Sequence, residues 1–436
     1  ASRALLGLFV LLFVVRYFRT FVGIWTWNTF QPTPVSKRPA FRASDVTAVV
    51  PSTFTDRDKL FQCVSAVLCC RPAKVFIVVS NATVENVQMC CKLEGIAKSV
   101  KVLGVNEVNK RKQMLTALRH ITTPMTVFAD DDVSWPDRDY LRYLLALFDD
   151  PRVGAGGTRQ RARRNPSPNF WNFLGISYLE RRAWNNVATN AIDGSISTLS
   201  GRTAAYRTAI LKCDEFFHYF QNDSWRGTPL NSDDDKCLTR YVYSHGWKIA
   251  IQADARAVLE TSLEPNRNFV NQFMRWARAH WRGNLTVMTS ETYWRSRSHL
   301  WGLYVIYMSQ FQTPALLVDG VLAGLLVKGL GPSACGSWRA LSLLVAWMLV
   351  SKIIKLVPHF RRHPADVRFV PISLVFSYVH GVFNVYALLT LHVTHWGSQS
   401  LGNCNDPRDQ DAIALPKERE SQAECRETRT GEWSFS

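Results

Sequence analysis

Apolar residues gather at the two ends of this 436-residue chain and break into short runs between them. Residues 4 to 27 are rich in Leu, Val, Phe and Trp and carry Arg16 and Arg19. Stretches at about 303 to 327, 339 to 357 and 369 to 393 crowd the last third. A bilayer is crossed by about 20 apolar residues, so each stretch is long enough to span it. The interval 28 to 299 has no such stretch. There, residues 46–50, 74–79, 100–103 and 126–129 read as short strands, and 60–68 and 110–120 have helical spacing. Strands alternating with helices predict an α/β fold with a mostly parallel, Rossmann-like sheet. A water-soluble domain inserted between membrane helices is expected.

Charge narrows the partners. The formal net charge is +17, yet no aromatic-basic RNA motif and no zinc-ligand spacing is present, so no nucleic acid is expected. A lipid bilayer with anionic headgroups and a polyphosphate substrate account for the excess better. Arg16, Arg19, Lys37 and Arg38 lie on the soluble-domain side, and Arg361-Arg362-His363 with Arg368 separate the last two apolar stretches. Both basic groups are expected to face the cytosol. A cleavable signal peptide is a second reading of the first 25 residues. No small-residue cleavage site follows the apolar part, however, and Arg16 and Arg19 come after it, so an anchor helix is expected. The pairs Cys69-Cys70 and Cys90-Cys91 suit reduced thiols rather than a disulfide framework. In a cytosolic domain the sequons at Asn81, Asn222 and Asn284 would be unused.

Three clusters carry candidate chemistry. Asp130, Asp131 and Asp132 end the apolar run 126–129. Three carboxylates in so small a volume need a cation or strong solvation, so the triplet is either an acidic turn or a Mg²⁺ or Mn²⁺ site. In parallel sheets, ligands bind beyond the carboxyl ends of strands, where the triplet falls. Asp233-Asp234-Asp235 precede a helical run and either complement the helix dipole or include a base that deprotonates an acceptor hydroxyl. Gln272, Arg275 and Trp276 share one helix face at i, i+3 and i+4. That face suits either a sugar diphosphate or the membrane interface. No G-x-G-x-x-G and no Walker loop occurs.

In this order the motifs resemble a membrane-bound, processive glycosyltransferase of family 2, the group of hyaluronan, cellulose and chitin synthases, over about residues 44 to 300. The wording Asp-Asp-Asp-Val-Ser-Trp-Pro looks most like fungal polysaccharide synthases of capsule-related and hyphal-growth type. The resemblance implies a GT-A fold. It makes Asp130 and Asp132 the nucleotide and metal contacts of a D-x-D motif, with Mg²⁺ or Mn²⁺ as cofactor. Asp235 becomes the catalytic base beside Asp234, and Ser200, Gly201 and Arg202 the acceptor segment, followed by Tyr206-Arg207. Lys110, Arg111, Gln272, Arg275 and Trp276 become contacts to a UDP-sugar donor. Softer matches are Tyr178, Glu180 and Arg181 before the acceptor segment, and Trp396-Gly397 near the catalytic mouth. Two departures stand out. Ser80-Asn81 replace the Asp that usually ends the second strand, and 51–56 lack the common Tyr-Asn-Glu.

The expected organisation is a transmembrane helix at 1–27, a cytosolic GT-A domain at 28–270, an interfacial Q-x-x-R-W helix at 271–299 and transmembrane or interfacial helices at 300–396. A polar, disordered tail at 397–436 follows. The expected activity is inverting, metal-dependent transfer from a UDP-sugar to a growing glycan, coupled to export at the plasma membrane. Alternatives are a single transfer to a lipid-phosphate carrier, or a non-catalytic transporter or scaffold. Gln310, Gln312, Asp319, His380 and Asn384 either line a polymer path or bond helix to helix. Three C-terminal crossings place the tail outside, whereas Trp396-Gly397 belong near the cytosolic mouth. An interfacial or re-entrant segment within 369–396 would reconcile the two.

Overall fold

The computed structural model describes residues 2–394, apart from 108, 297–298 and 332–333. Seven strands form the central sheet: β1 (Val46–Pro51), β2 (Lys74–Ser80), β3 (Val100–Val105), β4 (Met125–Ala129), β5 (Val153–Thr158), β6 (Thr203–Arg207) and β7 (Lys248–Gln252). Their order is β7-β5-β6-β4-β1-β2-β3. All neighbours pair in parallel except β6, which is antiparallel to both β4 and β5. Every residue of β1, β4 and β5 is buried, which is why they read as unbroken apolar or small-residue runs rather than as an alternation. One core packs Val49, Phe76 and Phe128 on one face of the sheet; the other packs Val46, Ala48 and Val127 on the opposite face.

The reversal of β6 positions the site. Ala129 at the end of β4 pairs with Thr203 at the start of β6. Residues 200–202 are therefore delivered beside 130–132, at the strand ends where parallel sheets bind ligands. A small three-stranded sheet (Val133–Ser134, Gln160–Ala162, Leu259–Thr261) caps the same edge. Helices α1 (Ser2–Thr29), α2 (Arg57–Cys69), α3 (Val84–Leu93), α4 (Lys110–His120), α5 (Phe170–Asp193), α6 (Asp234–Ser244) and α7 (Asn268–Met288) complete the frame.

Among the described residues three helices are long and apolar enough to cross a membrane: Ser2–Thr29, Gly336–Arg362 and Pro364–Leu389. The expected span at 303–327 contains a sharp bend. Leu300–Gln312 and Ala315–Leu330 are bent by 88° at the Thr313-Pro314 break, making either one broken span or a re-entrant loop. Pro314 has no backbone N–H to continue the helical ladder, and it restricts the residue before it. The helix over 364–389 is unbroken, so the sharp bend lies at 313–314 and not there. Tyr17, Leu322, Leu326, Leu344 and Met348 pack together, while Leu8, Val10, Leu11, Leu316, Leu343 and Leu389 stay exposed, as lipid-facing residues do. Phe273 and Trp281 of α7 pack with Phe376, fastening α7 to the last of these helices. Trp396-Gly397 and the tail lie outside the described residues.

Candidate active site

The two acidic triplets meet through one lysine. Lys110, the first residue of α4, has its Nζ 2.7 Å from Asp130 Oδ1 and 3.0 Å from Asp234 Oδ2. Burial works against its proton, but Asp130 and Asp234 outweigh that and hold the ammonium well above its ordinary range. Asp131 accepts from Ser52 Oγ at 2.5 Å, and Asp132 from Thr261 Oγ1 at 3.3 Å. Burial, reinforced by the Asp130 charge, pushes the Asp132 carboxyl up to about 6. Asp132 is thus a carboxylate short of positive charge.

Asp234 and Asp235 open α6, where the first-turn N–H groups favour anions. Burial would raise Asp234, but Lys110 overrides it and holds the group below the usual carboxylate range; burial and the Asp234 charge push Asp235 up. Gly201 closes the arrangement: a Cβ on it would lie 3.0 Å from Lys110 Nζ, 3.4 Å from Asp234 Oδ2 and 3.6 Å from Asp235 Cβ. A side chain there would press on the Lys110 ammonium and push it by a few tenths of an ångström. Ser200 and Arg202 are buried, and the Arg202 backbone carbonyl accepts from Asp130 N at 2.9 Å.

The Arg202 guanidinium lies over the Trp276 ring at 5.1 Å, and Trp276 stacks on Tyr178 at 5.3 Å with a 14° interplanar angle. The expected acceptor segment, the Q-x-x-R-W helix and the helix before them therefore share one stack. Gln272 and Arg275 are half-buried on α7, and Gln272 Oε1 is buried without a hydrogen-bond partner. Arg111 is placed elsewhere. It is buried, donates to Phe220 O, Asp223 Oδ2 and Ser232 O at 2.9 Å each, and so orders the segment 220–232 rather than facing the carboxylates. Glu180 pairs with Arg362, and Arg181 donates to Lys352 O and Ser373 Oγ, so both bind α5 to the apolar helices after 336.

Several site contacts have no sequence signature of their own. Asp233 adopts a left-handed φ of 66° and is held by Arg282 Nε and Nη2 at 3.0 and 2.9 Å, with both side chains almost fully buried. Lys236 Nζ donates to Ser197 O and Oγ and to Asn284 Oδ1 at 2.9–3.0 Å, and burial pushes it down to about 7. Asn284, legible only as an unused sequon, is 1% exposed and bonds Lys236, His280 and Gln310. A cavity of about 470 Å³ opens beside Asp235, Lys236 and Trp276 and is walled by α1, α5, α7 and the helices after 300. Gln310, Gln312, His380 and Asn384 line it. Asp319 does not, being bound to Lys352 at 2.7 Å and Arg16 at 3.7 Å.

A family model described as glycosyltransferase like family 2 matches residues 43–279. A type 2 glycosyltransferase of Gibberella zeae is 38% identical over 94% of this chain and 80% of that protein. Human hyaluronan synthase 3 is 26% identical over 66% of this chain and 50% of its own length. Among solved structures, a mannosyltransferase from Pyrobaculum calidifontis in complex with GDP-Man and Mn²⁺ superposes with a TM-score of 0.57, covering 90% of this chain and all of that one. At 16% identity that likeness shows the fold alone: a GT-A sheet flanked by helices.

Proposed function

The chain belongs to glycosyltransferase family 2, and on that premise we propose that it transfers sugars, with inversion, from a UDP-sugar to a growing glycan that leaves through the membrane helices. Lys110 carries this reading, because a single ammonium links the strand-end aspartates to the acidic pair on α6, with Gly201 against both. The donor diphosphate would lie beside Asp130, Lys110 and Arg275. Its sugar would face Asp235, and the acceptor would lie along Ser200, Gly201, Arg202 and the Trp276 ring. Asp235 takes the proton of the attacking hydroxyl. Its raised pKa brings a carboxylate closer to working pH, where a base is both free and effective. Asp234, held ionised by Lys110, supplies the charge that keeps Asp235 raised.

Mg²⁺ or Mn²⁺ fits the carboxylates of Asp130 and Asp132, which are hard oxygen donors, and the raised Asp132 marks a place where positive charge is missing. Among the described residues no three His, Cys, Asp or Glu side chains form a ligand group. Two carboxylates suffice for an ion whose shell is completed by phosphate and water. When bound, such an ion neutralises the departing diphosphate. The cavity beside Asp235 favours a polymer over a single transfer to a lipid carrier, since its polar lining runs from the site into the membrane helices. The domain would then lie on the cytosolic side of the plasma membrane, with secretion outward.

The test is UDP release by the full chain in lipid nanodiscs over UDP-GlcNAc, UDP-Glc and UDP-GlcA, with mass analysis of the product. A polymer supports the reading. A product of one sugar on an organic-extractable lipid would sustain the single-transfer alternative instead. Asp235→Asn is expected to lower kcat by about 10²–10⁴-fold with donor binding intact; full activity in that variant removes Asp235 as the base.

A further inference from the structure

The cavity beside Asp235 is lined by seven basic side chains and by one acidic one, Asp235 itself. Arg16 and Lys352 share Asp319, which stands outside the lining. Among the described residues the other five, Arg19, Arg181, Arg182, Lys236 and Lys355, have no carboxylate within 4.0 Å in the ion pairs found. Lys236 is spent on Ser197 and Asn284, and Lys355 donates to Asn185 Oδ1 and lies 4.8 Å over Trp184. Headgroup anchoring does not explain the excess. Arg16 and Lys352 have side chains only 11% exposed, and all seven basic residues line the cavity. Like charges sharing a low-dielectric cavity repel unless something negative enters.

We propose that this cavity binds an acidic glycan: the polymer assumed in the transfer reading above carries carboxylates, such as uronate, that meet Arg19, Arg181, Arg182 and Lys355 as it passes. The cations are spread over α1, α5 and the helix Gly336–Arg362 and are interleaved with Tyr178, Trp184, Trp276 and Trp301. One phosphate would engage two or three of them at one place. A chain with charges at intervals engages all of them, and the rings stack on its sugar faces.

Binding can be read without catalysis, using the full chain in nanodiscs of uncharged phosphatidylcholine. The probes are a hexasaccharide with a carboxylate on every second sugar, an uncharged N-acetylglucosamine hexamer, and a polyprenyl phosphate. The acidic hexasaccharide is expected to bind at least tenfold tighter than the neutral one, and to weaken as salt rises. Arg19→Gln with Lys355→Gln is expected to remove about tenfold of that affinity and leave the neutral probe unchanged. Arg19→Lys with Lys355→Arg, which keeps the charges, should restore most of it, and retained UDP binding reports an intact fold. Equal affinity for the two hexasaccharides, indifference to the glutamine pair, or displacement of the acidic probe by stoichiometric polyprenyl phosphate overturns the assignment. Synthesis of a neutral polymer overturns it while leaving transfer intact. Tight, salt-sensitive binding without UDP release from any donor supports the acidic site and overturns only the transfer reading.

Discussion

The mouth of the site and the cavity behind it handle charge in opposite ways. At the mouth nearly every buried ion is matched: Lys110 serves Asp130 and Asp234, Arg282 serves Asp233, and Asp223 is shared by Arg111 and Arg240 at 2.9 and 2.8 Å. In the cavity Arg19, Arg181, Arg182 and Lys355 go without a carboxylate among the described residues. Removing an ion from water costs several kcal/mol unless a partner repays it. Matching at the mouth therefore fixes geometry before substrate arrives, whereas the unmatched wall leaves its charge for what passes along it. Asp132 and Asp235 depart from this: both carboxyls are raised by burial, and the proposed cation would correct the first while the second is left free to act as a base.

The largest effect is expected where matching is tightest. Arg282→Met leaves Asp233 buried, charged and in a left-handed conformation, at a cost of about 3–5 kcal/mol. A large drop in the apparent Tm, followed by tryptophan fluorescence, would show it. Adding Asp233→Asn should recover part of the loss, because the stranded charge is gone. No recovery would mean that Arg282 acts through its bonds to the Leu391 and Val393 carbonyls instead.

Lys110→Met comes next. It leaves Asp130 and Asp234 without the ammonium they share and removes a cation from the proposed diphosphate site. kcat/KM for UDP release is expected to fall about 10²-fold, in the range seen when one preorganised electrostatic group is lost. Lys110→Arg keeps the charge and should lose less. Equal losses in the two variants would assign the effect to shape.

Acid should disable the mouth by a distinct route. A base works only when deprotonated, and the Asp235 carboxyl is held above the ordinary carboxylate range. The rate should therefore fall, as pH drops, at a higher pH than an unperturbed aspartate near 3.9 would give. The rate–pH profile at saturating donor checks this. An acid limb at or below that value would place the base elsewhere.

Much of this was legible from residue order, and the rest depended on contacts between distant positions. The strands were readable because buried parallel strands are apolar throughout, and the aspartates because charge ends such a run abruptly. That β6 runs backwards, and so carries Gly201 to Asp130, has no local signal, since strand direction is set by packing. Arg111 sits beside Lys110 in sequence yet turns to Asp223 and the 220–232 segment. Neighbours on a helix point about 100° apart, so adjacency promised no shared role. Thr313-Pro314 was a visible helix breaker inside a stretch whose hydropathy alone read as one span. The partners of Arg282 and Lys236, 49 and 48 residues away, exist only in the folded chain.

At neutral pH the smallest expected effect concerns Lys236, which belongs to both regions, following Asp235 in sequence and lining the cavity. An unfolded lysine titrates near 10.4, whereas burial pulls Lys236 down to about 7 in the folded chain. Between those values the unfolded chain binds a proton that the folded chain does not, so stability rises with pH; below about 7 both states hold the proton and the slope vanishes. One titrating group contributes at most about 1.4 kcal/mol per pH unit. Lys236→Met removes that contribution. The apparent Tm of the variant relative to the parent is therefore expected to decline steadily from pH 7 to 10 and to stay level below 7. A constant difference across that range would mean that Lys236 keeps its proton throughout. Its ammonium would then count with Arg19, Arg181, Arg182 and Lys355 as a fixed charge of the wall.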